Sequence, residues 1–206
     1  MSLVLHIHPD NPQERLIKEA VRIIQKGGVA IYPTDSAYAL GCRLSDKDAL
    51  EQIKRIRRLD DRHLFTLLCR DLSEIATYAF VDNSIYRLLK AYTPGPYTFL
   101  LQATREVPRR FLHPKRKAIG LRVPNCQITQ ALLEGLGEPL MSVTLQLPED
   151  DYPLSDPEEI IDRMDSRVDV IINGGAGGLE PTSVVDLYDG TPKVIRAGKG
   201  DVSSFL

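Results

Sequence analysis

Helix-like and strand-like segments alternate along this chain, and this alternation restricts its fold more than any other feature. Apolar residues recur at helical spacing after residue 13, and a β-branched, strand-like run over 29–32 follows at once. Further strands are predicted over 64–69, 97–103, 118–124, 140–147, 168–173, 184–187 and 193–196, and further helices after residue 45, over 71–78, over 82–91, over 125–136 and after residue 156. The alternation predicts a single α/β domain in which helices flank one twisted sheet. Because the last strands are closely spaced, the sheet should mix parallel and antiparallel pairing.

Three polar residues are predicted to cap helix N-termini. Asn11 precedes Pro12 and Glu14, a pattern typical of a first helical turn. Ser45 and Asn125 stand in the same way before two later helices. Side-chain oxygens of these types accept hydrogen bonds from the free backbone N–H groups of a helix start.

Cysteine content and hydropathy exclude several classes of protein. The three cysteines, Cys42, Cys69 and Cys126, are odd in number and form no CxxC pair. This argues against a disulfide framework or a structural zinc site and predicts a cytoplasmic protein. No run is long enough to cross a membrane, and the apolar start is too short for a signal peptide. His6 and His8 would share a strand face, but without a third ligand nearby we expect no metal site.

Positive charge is concentrated in two stretches, although the net charge is −2 at pH 7. The first stretch holds Lys54, Arg55, Arg57, Arg58 and Arg62, and the second holds Arg105, Arg109, Arg110, Lys115, Arg116, Lys117 and Arg122. Cations in the last turn of a helix complement its dipole, which accounts for part of the first stretch. Anion binding is the alternative, because Arg62 continues the pattern beyond that turn.

Two polar segments are candidates for ligand contact. Thr34, Asp35, Ser36 and Tyr38 follow the strand that Pro33 ends, in a run otherwise made of small or apolar residues. They fit either an ordinary turn or a loop that a ligand approaches closely. In the predicted strand 140–147, alternation puts Ser142, Thr144 and Gln146 on one face, which is either a ligand wall or a solvated surface. The glycine run 174–178 follows a strand, but no helix is predicted after it, which argues against a dinucleotide site.

Several motifs in a fixed order resemble those of the YrdC/YciO family. They are Gly-Gly-Val-Ala-Ile-Tyr-Pro-Thr-Asp at 27–35, Tyr-Ala-Leu-Gly-Cys at 38–42, Thr-Pro-Gly-Pro-Tyr-Thr at 93–98, Leu-Arg-Val-Pro at 121–124, Pro-Leu-Met-Ser at 139–142 and Pro-Thr-Ser-Val-Val-Asp at 181–186. The resemblance places a YrdC-like domain at 13–198, with an N-terminal strand extension at 1–12 and a C-terminal tail at 199–206 that we expect to be loose. It implies a single twisted α/β sheet with a large basic concave face.

The resemblance also implies an activity. The best understood members of the YrdC/YciO family make threonylcarbamoyl-adenylate from L-threonine, bicarbonate and ATP, for the modification of tRNA. ATP with its Mg²⁺ would then be a substrate, and no prosthetic group is implied. By resemblance, the catalytic candidates are Arg55, Arg57 and Ser142, and the substrate- or nucleotide-binding candidates are Thr34, Tyr38, Lys54, Arg122, Thr144, Gln146, Thr182, Ser183 and Arg196.

The chain departs from the family at two catalytic motifs. The synthases carry Lys-x-Arg and Ser-x-Asn, where this chain has Arg55-Ile56-Arg57 and Thr144-Leu145-Gln146. Arginine is not a neutral replacement for lysine at a phosphate, because a planar fork donates differently from a point charge. The alternative is therefore a protein that binds double-stranded RNA or tRNA without synthase activity. Its RNA-binding candidates are Arg58, Arg62, Arg110, Lys115, Arg116 and Lys117.

Overall fold

Ten strands and six helices make up the protein, for which a computed structural model describes residues 1–206. The strands are β1 (Leu3–His6), β2 (Ala30–Tyr32), β3 (Ala39–Arg43), β4 (Thr66–Leu68), β5 (Tyr97–Gln102), β6 (Ala118–Arg122), β7 (Leu140–Thr144), β8 (Val170–Asn173), β9 (Ser183–Asp186) and β10 (Lys193–Arg196). The helices are α1 (Glu14–Gln25), α2 (Lys47–Arg57), α3 (Leu72–Tyr78), α4 (Asn83–Tyr92), α5 (Gln127–Leu136) and α6 (Pro157–Met164), and short 3-10 turns lie at Arg109–Phe111 and Ser203–Phe205.

All ten strands join one sheet in the order β1-β8-β2-β3-β7-β4-β6-β5-β9-β10. The pairs β1–β8, β8–β2, β4–β6 and β5–β9 are parallel, and the other neighbours are antiparallel. This confirms the predicted α/β domain with a mixed sheet. The two ends of the chain lie at opposite edges, because β1 and β10 are the outermost strands.

Helices cover the two faces of the sheet unequally. On one face, a cluster of 35 buried hydrophobic residues joins α2, α3, α4 and α6 to the eight inner strands of the sheet, with Leu50, Ile53 and Leu89 among its helical members. On the other face, α1 and α5 form a cluster of 16 residues that reaches mainly β1, β8 and β2. The neighbouring strands β7, β4, β6, β5 and β9 therefore keep one face open.

Local chemistry sets some helix boundaries as predicted and others differently. Asp156 caps α6 by accepting a hydrogen bond from the Glu158 backbone N–H, with Pro157 in the first turn. The caps predicted at Asn11, Ser45 and Asn125 are wrong, because α1, α2 and α5 begin after Gln13, Asp46 and Cys126 with no side-chain cap bond.

The C-terminal tail is packed rather than loose. The Phe205 ring lies 4.6 Å from the Tyr92 ring centroid and 6.4 Å from that of Tyr97. The Tyr97 hydroxyl donates to the backbone oxygen of Asp201 at 3.0 Å. The tail is thus held to α4 and β5. None of the six helices has the length and apolar composition of a bilayer span.

Candidate functional site

The open face of the sheet holds a cavity of about 590 Å³. Hydroxyl groups from four strands or strand ends line it: Thr66, Thr98, Ser142, Thr144 and Thr182. Gly120 lies between two of them, and a β-carbon there would stand 2.7 Å from Thr66 Oγ1 and 3.1 Å from Thr98 Cγ2. Only glycine leaves room for these two threonine side chains beside β6, which gives the cavity a hydroxyl-rich floor.

Ser142 is held with its hydroxyl proton free. The buried Tyr32 hydroxyl donates to Ser142 Oγ at 2.9 Å. Burial raises the pKa of Tyr32, so its hydroxyl keeps its proton. Ser142 Oγ then accepts from Tyr32 and keeps its own hydrogen for an acceptor in the cavity.

Two guanidinium groups face the cavity with no carboxylate partner. Arg57 at the end of α2 donates to the Gln146 backbone oxygen, and its Nε is buried without a partner. Arg196 of β10 donates to the Thr182 backbone oxygen from Nε at 3.0 Å and from Nη2 at 2.8 Å. Burial lowers the pKa of both groups. Positive charges desolvated in this way attract an anion.

Arg122 is different, because its charge is already neutralised. It is buried at the end of β6, forms an ion pair with Asp35 and donates to Thr34 Oγ1 at 3.3 Å. The Asn125 backbone N–H donates to Asp35 at 3.0 Å, and Lys199 Nζ donates to the Asp35 backbone oxygen. Arg122 Nε remains buried without a partner. The loop after β2 is therefore tied to β6 and to the C-terminal segment.

His63 also lines the cavity. Burial and the nearby charge of Arg57 lower the pKa of this imidazole. Its ring centroid lies 5.1 Å from that of Phe65, in an edge-on arrangement. The side chain is therefore a neutral hydrogen-bonding group at neutral pH.

Seven of the twelve catalytic and binding candidates predicted from sequence line this cavity: Tyr38, Arg57, Arg122, Ser142, Thr144, Thr182 and Arg196. The RNA-binding candidate Arg62 lines it as well. Thr34 does not line it but contacts Arg122. These side chains come from both halves of the chain, and the sheet order brings them together.

Besides Thr34, four catalytic or binding candidates do not line the cavity. Arg55 lies with Lys54 in a separate shallow depression, where Lys54 pairs with Glu51 at 3.4 Å and with Asp61 at 3.2 Å. Arg55 lies on a different side of α2 from Arg57, and Lys54 is held by its acidic partners. These positions argue against a phosphate contact by Lys54 or Arg55.

Gln146 and Ser183 also point elsewhere. Strand β7 ends at Thr144, so Gln146 leaves the alternation, and its Nε2 donates to the Asp150 backbone oxygen at 3.0 Å. Ser183 is fully buried, donates to the Gly200 backbone oxygen and accepts from the Gly198 N–H at 2.9 Å. The expected shared face of Ser142, Thr144 and Gln146 is thus limited to the first two.

The six RNA-binding candidates lie in different surroundings. Arg110 donates to the Leu44 backbone oxygen, and Arg116 forms a two-pronged pair with Asp186 at 2.9 and 3.1 Å. Arg58 ends α2 in a left-handed conformation with φ 51°. Arg62 lines the cavity, Lys117 lies in a second pocket, and Lys115 is exposed. The guanidinium groups of Arg110 and Arg116 are therefore committed to contacts within the protein.

Sequence reasoning missed several lining residues, namely His63, Thr66 and Thr98, whereas Ser36 of the predicted ligand loop does line the cavity. Period-2 alternation along β4 and β5 was the available signal, since Thr66 and Leu68, and likewise Thr98 and Leu100, share the cavity face. Alternation shows which residues share a face, but it does not show which face of the sheet is left uncovered by helices. No group of three or more His, Cys, Asp or Glu side chains is placed to hold a metal ion.

Comparison with known proteins gives consistent matches. The family model Sua5_yciO_yrdC, described as telomere recombination, matches residues 22–198. The chain is 61% identical over 206 residues to the YciO protein of Escherichia coli, with 100% of each chain covered. It is 55% identical over 207 residues to a protein of Haemophilus influenzae, again with 100% of each covered.

Solved structures agree with these matches. The crystal structure of E. coli YciO superposes with a TM-score of 0.96 at 61% identity and covers 100% of both chains. The crystal structure of P. abyssi Sua5 complexed with L-threonine superposes with a TM-score of 0.87 at 20% identity. That match covers 96% of this chain and 58% of the Sua5 chain, and at such identity it shows a shared fold.

Proposed function

The chain belongs to the Sua5/YciO/YrdC family, and from this premise we propose that its open cavity binds ATP and L-threonine and forms threonylcarbamoyl-adenylate. The observation that carries the proposal is the pair of guanidinium groups that line the cavity with no carboxylate partner, the partly buried Arg57 and the exposed Arg196. A polyphosphate would supply the missing negative charge.

The proposed reaction needs no covalent enzyme intermediate. Bicarbonate and the amine of L-threonine give an N-carbamate with loss of water. A carbamate oxygen then attacks the α-phosphorus of ATP, and the bond from that phosphorus to the bridging oxygen of the β-phosphate breaks. The products are threonylcarbamoyl-adenylate and diphosphate. The protein's part is to hold two anions together and to stabilise the charge that spreads over the phosphorus oxygens.

The two arginines and Ser142 suit that task. Arg57 and Arg196 approach the cavity from α2 and β10, and both are fixed by backbone carbonyl oxygens rather than by acids. Donors that are held in place before the ligand arrives stabilise a transition state without reorganising. Ser142, with its proton free, would donate to an oxygen of the adenylate. Mg²⁺ would arrive with ATP as part of the substrate complex.

The threonine would lie on the side of Arg122 and Thr34. L-threonine bound to the P. abyssi Sua5 protein supports an amino-acid site in this fold. Arg122 is oriented by Asp35, and its buried Nε has no partner within the protein. A substrate carboxylate at this position would satisfy that donor.

The departures from the family's catalytic motifs predict a slow reaction. Arg55 and Lys54 face away from the cavity, so Arg57 is the one cation of α2 that lines it. Gln146 contributes its backbone oxygen to Arg57 instead of its side chain to the ligand. Each absent donor typically lowers a rate by about 100-fold.

Incubation of the protein with ATP, L-threonine and bicarbonate tests the proposal directly. We expect diphosphate and threonylcarbamoyl-adenylate to form in equal amounts, and the rate to fall about 100-fold in Arg196→Gln. The matched control is Arg15→Gln, which removes an exposed arginine from α1 and should keep the full rate. Background levels of diphosphate with every combination of substrates would refute the proposal.

A further inference from the structure

A second pocket, of about 780 Å³, opens at the opposite end of β5 from Thr98 and shares no lining residue with the cavity. We propose that this pocket binds one nucleotide unit, with the base stacked on Phe80 and the phosphate held by Arg105, Arg109 and Lys117. The proposal does not depend on the synthase activity, because a different set of side chains carries it.

Three distant segments build the pocket side by side. The Phe80 backbone N–H donates to the Gln102 oxygen at 2.9 Å, just after Ala79 pairs with Ala103 in an isolated bridge. On the other side, the Ala103 N–H donates to the Lys117 oxygen at 2.7 Å. Residues from the end of α3, the end of β5 and the start of β6 are therefore fixed next to one another.

Phe80 is an aromatic platform that faces solvent. It lies directly after α3, is 59% exposed and lines the pocket. A phenylalanine side chain has no polar atom, so its exposed face offers stacking and apolar contact only. The flat ring of a nucleobase matches such a face, and stacking of this kind does not depend on base identity.

The loop between β5 and β6 carries the positive charge of the pocket on an ordered frame. Val107 and Phe111 are buried, and the Phe111 ring packs 5.8 Å from that of Phe65. Arg109 lies between these anchors and Arg105 lies just before Val107. Both arginines are exposed, line the pocket and pair with no acidic side chain. Such a loop presents its cations without having to order first, which reduces the entropic cost of binding.

His113 adds a hydrogen-bond donor. Its Nδ1 accepts hydrogen bonds from the backbone N–H groups of Lys115 at 3.2 Å and Arg116 at 3.3 Å. A nitrogen that accepts cannot carry the proton, so the proton lies on Nε2. Nε2 can therefore donate to a phosphate or base oxygen in the pocket.

A flat apolar platform beside several cations fits a nucleoside phosphate better than a simple anion. Two sources carry this chemistry, a single strand of RNA and a free mononucleotide. A duplex does not fit in the same way, because its bases are stacked on each other and cannot reach Phe80. The pocket thus predicts a preference for unpaired nucleotides.

The chain contains no tryptophan, so Phe80→Trp creates a single reporter at the pocket. We expect a single-stranded oligoadenylate of about ten nucleotides to quench its fluorescence as a base stacks on the ring. Adding Arg105→Gln and Arg109→Gln should weaken the binding about tenfold or more and lower the slope of log affinity against log salt by about 1.4. Titration with AMP distinguishes the sources: quenching at similar concentrations of AMP assigns the site to a free nucleotide, and quenching by the strand alone assigns it to RNA.

Matched variants control for exposure and for charge. Tyr152→Trp places the reporter at another exposed aromatic position and should not be quenched. In the Phe80→Trp protein, Arg15→Gln with Arg22→Gln removes two exposed arginines from α1 and should leave affinity and salt slope almost unchanged. Equal quenching at residues 80 and 152, no quenching at a saturating strand concentration, or stronger quenching by a duplex would each overturn the proposal.

Discussion

Tyr32 and Ser142 show how a single buried hydrogen bond prepares a side chain for a ligand. Both residues are buried, and their oxygens lie 2.9 Å apart. Tyrosine can only act as the donor to Ser142 while it stays protonated, and burial holds it so by raising its pKa. The buried Tyr32 hydroxyl thus orients the hydroxyl of Ser142.

Ser142→Ala should destabilise the protein by about 1–3 kcal/mol, because it leaves the buried Tyr32 hydroxyl without an acceptor. Tyr32→Phe removes the donor and should cost about 1 kcal/mol. The double variant should be more stable than the sum of the two losses implies, by about 1 kcal/mol. Denaturant unfolding of all four proteins measures this coupling, and strict additivity would show that the bond contributes nothing.

His63 makes the stability of the fold depend on pH. Burial and the Arg57 charge hold its pKa below the ordinary value, so the folded state takes up a proton at lower pH than the unfolded chain does. Stability is therefore complete above the ordinary histidine pKa of about 6.5 and falls as the pH drops toward the folded value.

In His63→Gln, the free energy of unfolding should decrease less than in the unmodified protein between about pH 7 and about pH 5. His8→Gln is the matched control, since His8 is exposed, and its slope should be that of the unmodified protein. Urea titrations at several pH values give these slopes. If the slope of His63→Gln equals that of the control, His63 does not carry the pH dependence.

Among the strands, β6 shapes the cavity through Gly120, a residue without a side chain. Gly120 pairs with Thr66 on one side and with Leu100 on the other. A methyl group there would also come within 3.1 Å of the Phe65 backbone oxygen, which cannot move without shifting the strand. The floor of the cavity and the packing of β4 against β6 thus both require a glycine at position 120.

Gly120→Ala should destabilise the protein by about 1–3 kcal/mol through overpacking and should also weaken ATP binding. Gly190→Ala is the control: its φ of 81° strains an alanine, but a β-carbon there meets no atom within 4 Å. It should cost about 1 kcal/mol and leave ATP affinity unchanged. Calorimetric titration with ATP separates the two effects, and unchanged affinity in Gly120→Ala would exclude this residue from the floor.

The elements could be predicted from sequence wherever one local signal dominated. Helical spacing and Asp156-Pro157 marked helices correctly, and closely spaced strands indicated the antiparallel pair β9–β10. Strand β3 was not predicted, because Ala39 and Gly41 lack the bulk that usually marks a strand. Glycine is needed there, since the Tyr32 hydroxyl occupies the space of its β-carbon.

The residue types of the candidate site could be predicted from sequence, but the directions of their side chains could not. Ser183 and Thr182 are adjacent hydroxyl residues, yet Thr182 lines the cavity and Ser183 bonds the backbone of Gly200. Which of the two faces the cavity depends on the strand beside them, β5, whose sequence is distant. Phe80 is a further case, since only the fold brings it to the basic loop.

For the whole molecule, the C-terminal segment connects the edge of the sheet to its centre. Lys199 contacts the backbone of Asp35, Gly198 contacts Ser183, and Phe205 packs on Tyr92. The last residues thus brace both β10, which carries Arg196, and the loop that holds Arg122.

Phe205→Ala should lower the free energy of unfolding by about 1–3 kcal/mol, since it removes aromatic packing at the junction of α4, β5 and the tail. Leu206→Ala changes a neighbouring side chain that is 90% exposed and should have almost no effect. Thermal and denaturant unfolding measure both. Equal stability of the two variants would mean that the tail does not contribute to the fold.

The position of β8 between β1 and β2 has a consequence for synthesis on the ribosome. The strand that closes this part of the sheet, at residues 170–173, is translated long after both of its neighbours. Until it emerges, β1 has no partner and one edge of β2 is unpaired, and pairing over such sequence separations is slow. A nascent chain that ends before this strand therefore exposes an unpaired strand edge, which can pair with other chains. Productive folding must wait until most of the polypeptide has been made.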